Sequence, residues 1–123
     1  MIARELEFLT GIAFKRNLKQ TQVSDECDLV PSDPDWPFAC EIKFYGSGNG
    51  CKREWKEQAS RAAAKIGKIP CAIYKYNRQP IRVAVPLNAI HPTLPSDEWA
   101  EVTLPGLAYL AREIMAAQAM EAA

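Results

Sequence analysis

The chain has 123 residues, of which 48% are hydrophobic and 24% charged, as in an ordinary globular protein and unlike a disordered one. This length leaves room for one hydrophobic core, so we expect a single domain spanning residues 1–123. Fifteen basic and fifteen acidic residues cancel, so no global positive field favours nucleic acid or an anionic membrane. Short apolar runs and an acidic N-terminal segment argue against a membrane span and a signal peptide. We therefore expect a cytoplasmic protein whose binding surfaces are local.

The cysteines and the histidine narrow the possible chemistry. Cys27, Cys40, Cys51 and Cys71 lie far apart, without the C-x-x-C spacing typical of zinc or redox sites. Two disulfides are possible in number, but free structural thiols in a reducing compartment are the favoured interpretation. His91 is the only histidine, which argues against a His-based triad or a His-rich metal site. Any catalysis is then expected to use carboxylates and lysines.

The first predicted element is an amphipathic helix over residues 2–13, where apolar residues recur at helical spacing. At about 100° per residue, Glu5 falls inside or beside the apolar stripe, whereas Glu7 points away from it. One acid is therefore predicted to face inward. Residues 14–23 alternate loosely, which is typical of an irregular strand or an extended loop.

The next predicted elements are two strands. Residues 27–30 read as a short strand ended by PSDPDWP, whose prolines and aspartates favour a turn, and a second strand starts near Phe38. We expect these two strands to form a hairpin. In the second strand, FACEIKFY, alternation places the apolar residues on one face and Glu41 and Lys43 on the other.

The second half of the chain predicts a helix, two strands and a helix. YGSGNG predicts a flexible loop before a helix over residues 52–66, which Gly67 would end. The strands PCAIYKY and IRVAVPL are joined by a turn at residues 77–80. After a loop rich in proline and acids, a last helix runs from about Leu107 to near the end.

One group of residues indicates chemistry: Asp28 at the end of a predicted strand, and Glu41 with Lys43 on the next. In a hairpin Asp28 would approach Glu41, and their carboxylates could hold a divalent cation of the Mg²⁺ type. Such a cation can bind a phosphate oxygen and activate a water, which Lys43 would orient or help to deprotonate. Glu5, as an acid within an apolar stripe, could add a ligand. The alternative is that Glu41 and Lys43 form the solvated face of an edge strand.

The order of these residues resembles the PD-(D/E)XK nuclease superfamily, and within it the archaeal-type and phage Holliday junction resolvases. It runs from Glu5 through Asp28 and Glu41-Ile42-Lys43 to a helix that carries Gln58. The resemblance implies an α/β (α+β) fold with a restriction-endonuclease-like core, a central mixed β-sheet flanked by helices in the order α-β-β-β-α-β-β-α. It also implies Mg²⁺, or Mn²⁺ in its place, and a homodimer, because two symmetric nicks in a four-way junction need two sites.

The resemblance also implies roles for individual residues. Asp28, Glu41 and Glu5 would be metal ligands or neighbours of the metal, Lys43 would act on the attacking water, and Gln58 would reach the site. An ordinary helix-surface glutamine remains an equally open interpretation of Gln58.

The match departs from the literal motif at one point. The residue before Asp28 is Cys27 and not proline, whereas Pro34-Asp35 matches the motif letter by letter. Asp35, however, lies in the proline-rich turn with only five residues before Glu41. Asp28 is therefore the preferred aspartate.

Basic residues flank the predicted site on both sides, and contact with DNA phosphates is their functional interpretation. Ordinary solubility is the alternative. The candidates are Lys15, Arg16, Lys19, Lys52, Arg53 and Lys56, with Lys65, Lys68, Lys75 and Arg78 more remote.

Three functions remain open from the residues and the resemblance. The leading hypothesis is a Mg²⁺-dependent endonuclease that resolves Holliday junctions during DNA recombination. The second is a nuclease of the same fold acting on branched or linear DNA in repair or replication, because fold does not settle substrate. The third is a non-catalytic DNA-binding protein that kept the fold and lost the metal. A zinc module is opposed by the cysteine spacing.

Overall fold

The structure is a computed structural model that describes residues 1–17 and 27–122. Within these ranges the chain forms helices and strands that we number in chain order. They are α1 (Ile2–Thr10), β1 (Phe14–Arg16), β2 (Leu29–Pro31), β3 (Phe38–Tyr45), α2 (Arg53–Ile66), β4 (Ile69–Tyr76), β5 (Arg82–Pro86), β6 (Trp99–Val102) and α3 (Leu104–Ala122). A short 3₁₀ turn, Leu87–Ala89, follows β5.

The first helix is shorter than predicted. Its C-cap is Gly11, whose left-handed backbone (φ 77°) ends the helix while the Gly11 N–H donates to the Glu7 carbonyl. This is the usual geometry of a glycine C-cap. β1 then starts at Phe14, so the predicted extended segment 14–23 contains a strand of three residues. The later part of that segment lies outside the described ranges.

A four-stranded mixed sheet in the order β3-β4-β5-β6 forms the centre of the fold. β3 and β4 are parallel, in a register that runs from Phe38 opposite Ile69 to Tyr45 opposite Tyr76. Parallel neighbours need a long crossover, and α2 provides it. β4 pairs with β5, and β5 with β6, in antiparallel hairpin order. The predicted helix over 52–66 and the predicted β4–β5 turn are confirmed.

The predicted hairpin between the Asp28 segment and β3 is wrong. β2 pairs instead with β1, in a separate two-stranded antiparallel sheet. A backbone hydrogen bond from Asp28 N to Cys40 O, at 2.8 Å, joins this part of the chain to β3. Three prolines lie in or beside the intervening turn, and proline cannot donate to a strand ladder, so regular pairing does not continue. They are Pro31, Pro34 and Pro37.

Helices cover both faces of the main sheet. On one face, Trp55 of α2 packs in a cluster with Ala72, Tyr74, Tyr76 and Ala84. On the other face, α1 and α3 pack against the alternate strand residues. That larger core includes Ile2, Leu6, Cys40, Cys71, Ile73, Val83, Val85, Leu104, Leu107 and Ala111. The four cysteines are free, as predicted.

One strand escaped prediction. β6 occupies four residues of the segment expected to be a loop, and α3 starts at Leu104, before the predicted Leu107. A strand this short at a sheet edge has too few residues to show alternation. None of the helices in residues 1–17 and 27–122 combines the length and apolar character needed to cross a bilayer.

Candidate active site

Two acidic residues, Asp28 and Glu41, are buried at β3. Among the described residues, the buried charged side chains are Asp28, with 6% of its surface exposed, and Glu41, with none. Asp28 Oδ2 accepts a hydrogen bond from Ile42 N at 2.6 Å, while Asp28 N donates to Cys40 O at 2.8 Å. Asp28 is thus bonded to both residues that flank Glu41. These two hydrogen bonds, which we call the clamp, take the place of the predicted hairpin and hold Asp28 against the backbone on either side of Glu41.

The chemistry of this pair suits a hard divalent cation. Carboxylates are rarely buried unless they are paired or bound to metal. Mg²⁺ is commonly held by one or two carboxylates, with the rest of its shell taken by waters and substrate phosphate. No group of three His, Cys, Asp or Glu side chains in residues 1–17 and 27–122 could hold a metal. Asp28 and Glu41 are thus the buried carboxylates that the described residues offer to a cation.

Burial and nearby acidic groups raise the pKa of the Cys27 thiol, next to Asp28. Cys27 precedes Asp28 and is half-buried. Burial raises the pKa of the Cys27 thiol, and the nearby Cys40 thiol and the carboxylates of Glu41 and Asp28 raise it further. Negative charge in the site thus disfavours a thiolate at Cys27, so this cysteine is unsuited to act as a nucleophile.

Lys43 lies on the same face of β3 as Glu41. In the parallel register Glu41 is opposite Ala72 and Lys43 is opposite Tyr74, and both β4 residues belong to the α2-side cluster. Two residues span about 7 Å along a strand, a distance that a flexible lysine side chain can bridge. Lys43 is half-buried and Glu41 fully buried, so the interpretation as a solvated strand face is wrong for Glu41.

Gln58 is carried by α2, which packs on the sheet face that presents Glu41 and Lys43. Its neighbours one turn away, Trp55 and Ala62, are buried, and Gln58 itself is half-buried. The structure therefore places Gln58 at the flank of the packed helix face. Its role in the site stays a prediction.

Glu5 is not where the sequence placed it. Its side chain is exposed and borders an open depression with Phe8, Leu9 and Pro105. The prediction that this acid faces inward is wrong because α1 ends before Ile12, which would have completed the apolar stripe on that side. Asp28 and Glu41 are thus buried, whereas Glu5 is exposed.

The alternative aspartate of the literal motif is also exposed. Asp35 lies in the turn before β3, where its N–H donates to Asp33 Oδ1 at 2.9 Å. It makes no bond to β3 comparable to that of Asp28 among the hydrogen bonds of the described residues. The structure thus favours Asp28 over Asp35 as the partner of Glu41.

The basic residues on the N-terminal side lie close to the clamp. Lys15 and Arg16 are exposed on β1, and Arg16 pairs in register with Leu29, the residue after Asp28. Asn17 N donates to Asp28 O at 2.8 Å, which ties this strand end to the site. Lys19 lies outside the described residues.

The basic residues on the α2 side divide into two groups. Lys52 is exposed, and its ammonium lies 5.1 Å from the centre of the Tyr45 ring and 5.4 Å from that of Trp55. Arg53 pairs with Glu57 at 3.5 Å. Arg53 and Lys56 line a cavity of about 720 Å³ between α2 and the segment before β6, where Glu57, Asp97 and Glu98 add negative charge. Lys52 is thus the α2-side cation that points toward the end of β3.

Sequence reasoning missed two aromatic residues next to Lys43. Phe44 and Tyr45 end β3 with 51% and 45% of their surfaces exposed. Large exposed rings beside a buried polar site are unusual, and binding surfaces are enriched in them. Their place at the end of FACEIKFY, before a glycine-rich loop, was the available signal.

The mixed four-stranded sheet, with helices on both faces, defines the restriction-endonuclease-like fold. The solved structure of Archaeoglobus fulgidus Hjc, a Holliday junction resolvase from an archaeal hyperthermophile, shares this fold with a TM-score of 0.57. The two proteins are 18% identical, and the match covers 92% of this chain and 94% of that one. No curated protein matches the chain in sequence.

The family model described as "Phage putative PDDEXK endonuclease" matches residues 1–107. The chain belongs to this PDDEXK endonuclease family. The matched range includes the clamp, Lys43 and Gln58, so it covers the residues that the resemblance singled out. The predicted superfamily and fold class are confirmed.

Proposed function

We propose that this protein is a divalent-metal-dependent endonuclease that hydrolyses DNA phosphodiesters, with the four-way junction as its substrate. The observation that carries the proposal is the clamp by which Asp28 bonds to both neighbours of the fully buried Glu41. A family of endonucleases supports the reaction class. The shared fold with a Holliday junction resolvase supports the choice of a branched substrate.

Asp28 and Glu41 would hold Mg²⁺, or Mn²⁺ in its place, through carboxylate oxygens. When bound, such a cation supplies a Lewis acid for the scissile phosphate and lowers the pKa of a water nucleophile. The hydrogen bond from Ile42 N holds the Asp28 carboxylate in a fixed orientation. Lys43, on the same strand face, orients the attacking water and offsets negative charge as the phosphate is attacked.

DNA would reach this site along surfaces rich in exposed cations. Lys15 and Arg16 lie on the strand joined to Asp28, and Lys52 lies beyond the end of β3. Cations at these places contact backbone phosphates without reading bases, which suits recognition of shape. A homodimer would present two such sites to a junction, as two symmetric nicks require.

The test is cleavage of a labelled four-way junction beside linear duplex and single-stranded DNA, with Mg²⁺, with Mn²⁺ and with a chelator. We expect paired nicks near the branch that require metal, and a loss of at least about 100-fold in rate for Asp28→Asn and Lys43→Ala. Asp35→Asn is the matched control, because Asp35 supplies the literal motif from an exposed turn; it should cut at the unaltered rate.

The outcomes separate the alternatives. Equal cleavage of every substrate would retain the nuclease and overturn the junction preference. Full activity of Asp28→Asn together with an inactive Asp35→Asn would show that Asp35, in the turn before β3, is the active-site aspartate. No cleavage of any substrate by folded protein, with no Mn²⁺ binding, would overturn the enzyme.

A further inference from the structure

The face of β3 that carries Glu41 and Lys43 ends in an aromatic residue, Tyr45. Alternation along the strand places these three residues on one side of the sheet. In the register with β4, Lys43 is opposite Tyr74 and Tyr45 is opposite Tyr76. Both β4 tyrosines belong to the buried cluster on the α2 side. Tyr45 therefore lies about 7 Å beyond Lys43 along the strand, on the face of the candidate active site.

The Tyr45 ring is held in place by Trp55 of α2. The two rings stack with their centres 5.1 Å apart and their planes 10° from parallel. Trp55 is itself buried, and its ring centre lies 5.9 Å from that of Tyr74 and 6.1 Å from that of Tyr76. Tyr45 keeps 45% of its surface exposed. Its ring is thus fixed against the helix on one side and open to solvent elsewhere.

The ammonium of Lys52 lies beside this stacked pair. Lys52 Nζ is 5.1 Å from the centre of the Tyr45 ring and 5.4 Å from that of Trp55, which is within the range of cation–π attraction. Lys52 is also the N-cap of α2, and its carbonyl accepts hydrogen bonds from Trp55 N at 3.1 Å and Lys56 N at 3.3 Å. The helix therefore fixes the backbone of Lys52, and the two rings orient its side chain.

The glycine loop that leads to Lys52 is fixed as well, contrary to the flexibility that its composition predicted. Tyr76 Oη donates to Gly50 O at 2.7 Å, and Gln79 Nε2 donates to Gly48 O at 3.2 Å. Gly48 has a φ of 144°, and a Cβ there would lie 2.5 Å from the Tyr76 ring. The loop is therefore held on the sheet where it enters α2.

The positive charge of Lys52 stays available to an anionic ligand. An aromatic ring attracts a cation through its quadrupole and leaves the charge of the cation uncancelled, whereas a carboxylate neutralises it. Arg53, the next residue, pairs with Glu57 at 3.5 Å. Among the residues that the structure describes, Lys52 forms no ion pair of this kind. Lys52 is thus an oriented cation without a counter-charge.

We propose that Tyr45 is a positioning residue whose ring, stacked on Trp55, holds the Lys52 ammonium where it binds a DNA phosphate close to the one that is cut. The inference rests on the proposed nuclease function and adds a residue by which the site places its substrate. Successive phosphates of one DNA strand advance about 3.4 Å along the duplex axis. With the scissile phosphate at Lys43, a nearby phosphate of the same strand would meet the Lys52 ammonium. Tyr45 would act on the DNA through Lys52.

The experiment is a double-mutant cycle on the affinity for a labelled four-way junction. Dissociation constants are measured in chelator, so that no phosphodiester is cut. The proteins are the unaltered chain, Tyr45→Leu, Lys52→Ala and the variant with both changes. Each titration is repeated at low and at high salt. Metal-dependent nicking of the same junction by the unaltered protein is measured separately.

We expect Tyr45→Leu to weaken junction binding about 2- to 5-fold at low salt, the range for one cation–π interaction at an exposed site. Added to Lys52→Ala, the same change should weaken binding no further. The loss in Tyr45→Leu should shrink at high salt, because it acts through a phosphate contact. Tyr45→Phe keeps the ring and should keep the affinity.

Tyr109→Leu is the matched control. Tyr109 is 66% exposed and also lies beside a cation, with the Arg112 guanidinium 5.6 Å from its ring centre. This pair lies on α3 and not on the site face of β3. Tyr109→Leu should therefore bind the junction as the unaltered protein does.

The outcomes keep the inference and the proposed function apart. A loss in Tyr45→Leu that persists in full beside Lys52→Ala would show that the ring contacts DNA directly, and would overturn the positioning role. Unchanged affinity in Tyr45→Leu would also overturn it, and metal-dependent nicking by the unaltered protein would then leave the nuclease intact. A cycle that behaves as expected without any nicking would do the reverse. Circular dichroism of each variant distinguishes loss of the ring from loss of the fold.

Discussion

Asp28 and Glu41 place negative charge where the protein excludes water, which destabilises the folded state unless nearby groups offset it. The backbone N–H of Ile42 offsets part of the charge at Asp28. A bound divalent cation would offset more, because it carries two positive charges. The proposed metal site therefore implies that metal binding and folding stability would be coupled at these two residues.

This coupling predicts that Mn²⁺ or Mg²⁺ raises the melting temperature. At about 100 times the dissociation constant, a ligand that binds only the folded state adds about 2.7 kcal/mol to the free energy of unfolding. Asp28→Asn and Glu41→Gln should lose this increase, measured by thermal unfolding with and without metal. Glu5→Gln is the control, because Glu5 is exposed on α1 and should leave the increase unchanged. Loss of the increase in Glu5→Gln would restore Glu5 as a ligand.

At the scale of single elements, the loop between β3 and α2 requires glycine at position 48. Gly48 has a φ of 144°, a conformation that side-chain-bearing residues rarely adopt, and it packs on the buried ring of Tyr76. Gly46 lies in the same loop, but a Cβ there would meet only the Asn77 side chain, at an ordinary 3.7 Å. Alanine substitutions at Gly48 and Gly46 therefore serve as a test and its control within one loop.

Gly48→Ala is expected to lower the free energy of unfolding by about 1–3 kcal/mol, through backbone strain and overpacking against Tyr76. Gly46→Ala should change it by less than about 1 kcal/mol. Urea denaturation of both variants measures the difference. Equal effects at the two positions would show that the loop does not pack on Tyr76 as described.

For the whole molecule, zero net charge means that DNA affinity must come from local cation clusters around the site. Lys52 lies beyond the end of β3 over Tyr45, whereas Lys65 is exposed in the last turn of the helix that follows Lys52. Replacing each lysine in turn therefore compares the two ends of α2 as places of DNA contact.

Lys52→Ala is expected to weaken junction binding, because a cation that neutralises a DNA phosphate releases a counterion on binding. The slope of log K against log salt should become shallower by about 0.9 for each phosphate that Lys52 neutralises in the unaltered protein. Lys65→Ala should leave both quantities near those of the unaltered protein. The measurement is a binding titration at several salt concentrations in chelator. Equal slopes for Lys52→Ala and the unaltered protein would place the DNA elsewhere.

The local sequence patterns determined most of the secondary structure. Glycine C-caps and helical spacing predicted α2 closely, and the alternation in FACEIKFY predicted that Glu41 and Lys43 share a face of β3. These are local properties, because each depends on residues within one or two turns or along one strand. The same reasoning failed for Glu5, where an early C-cap removed part of the helix face.

Only the tertiary structure decided how the parts of the site meet. The pairing of β2 with β1, and the bonding of Asp28 to both neighbours of Glu41, join segments that no local pattern links. The burial of Glu41 likewise depends on α2 lying over its strand face. Pairing and burial are set by the free energy of packing the whole chain, which is why the composition of single segments left them open.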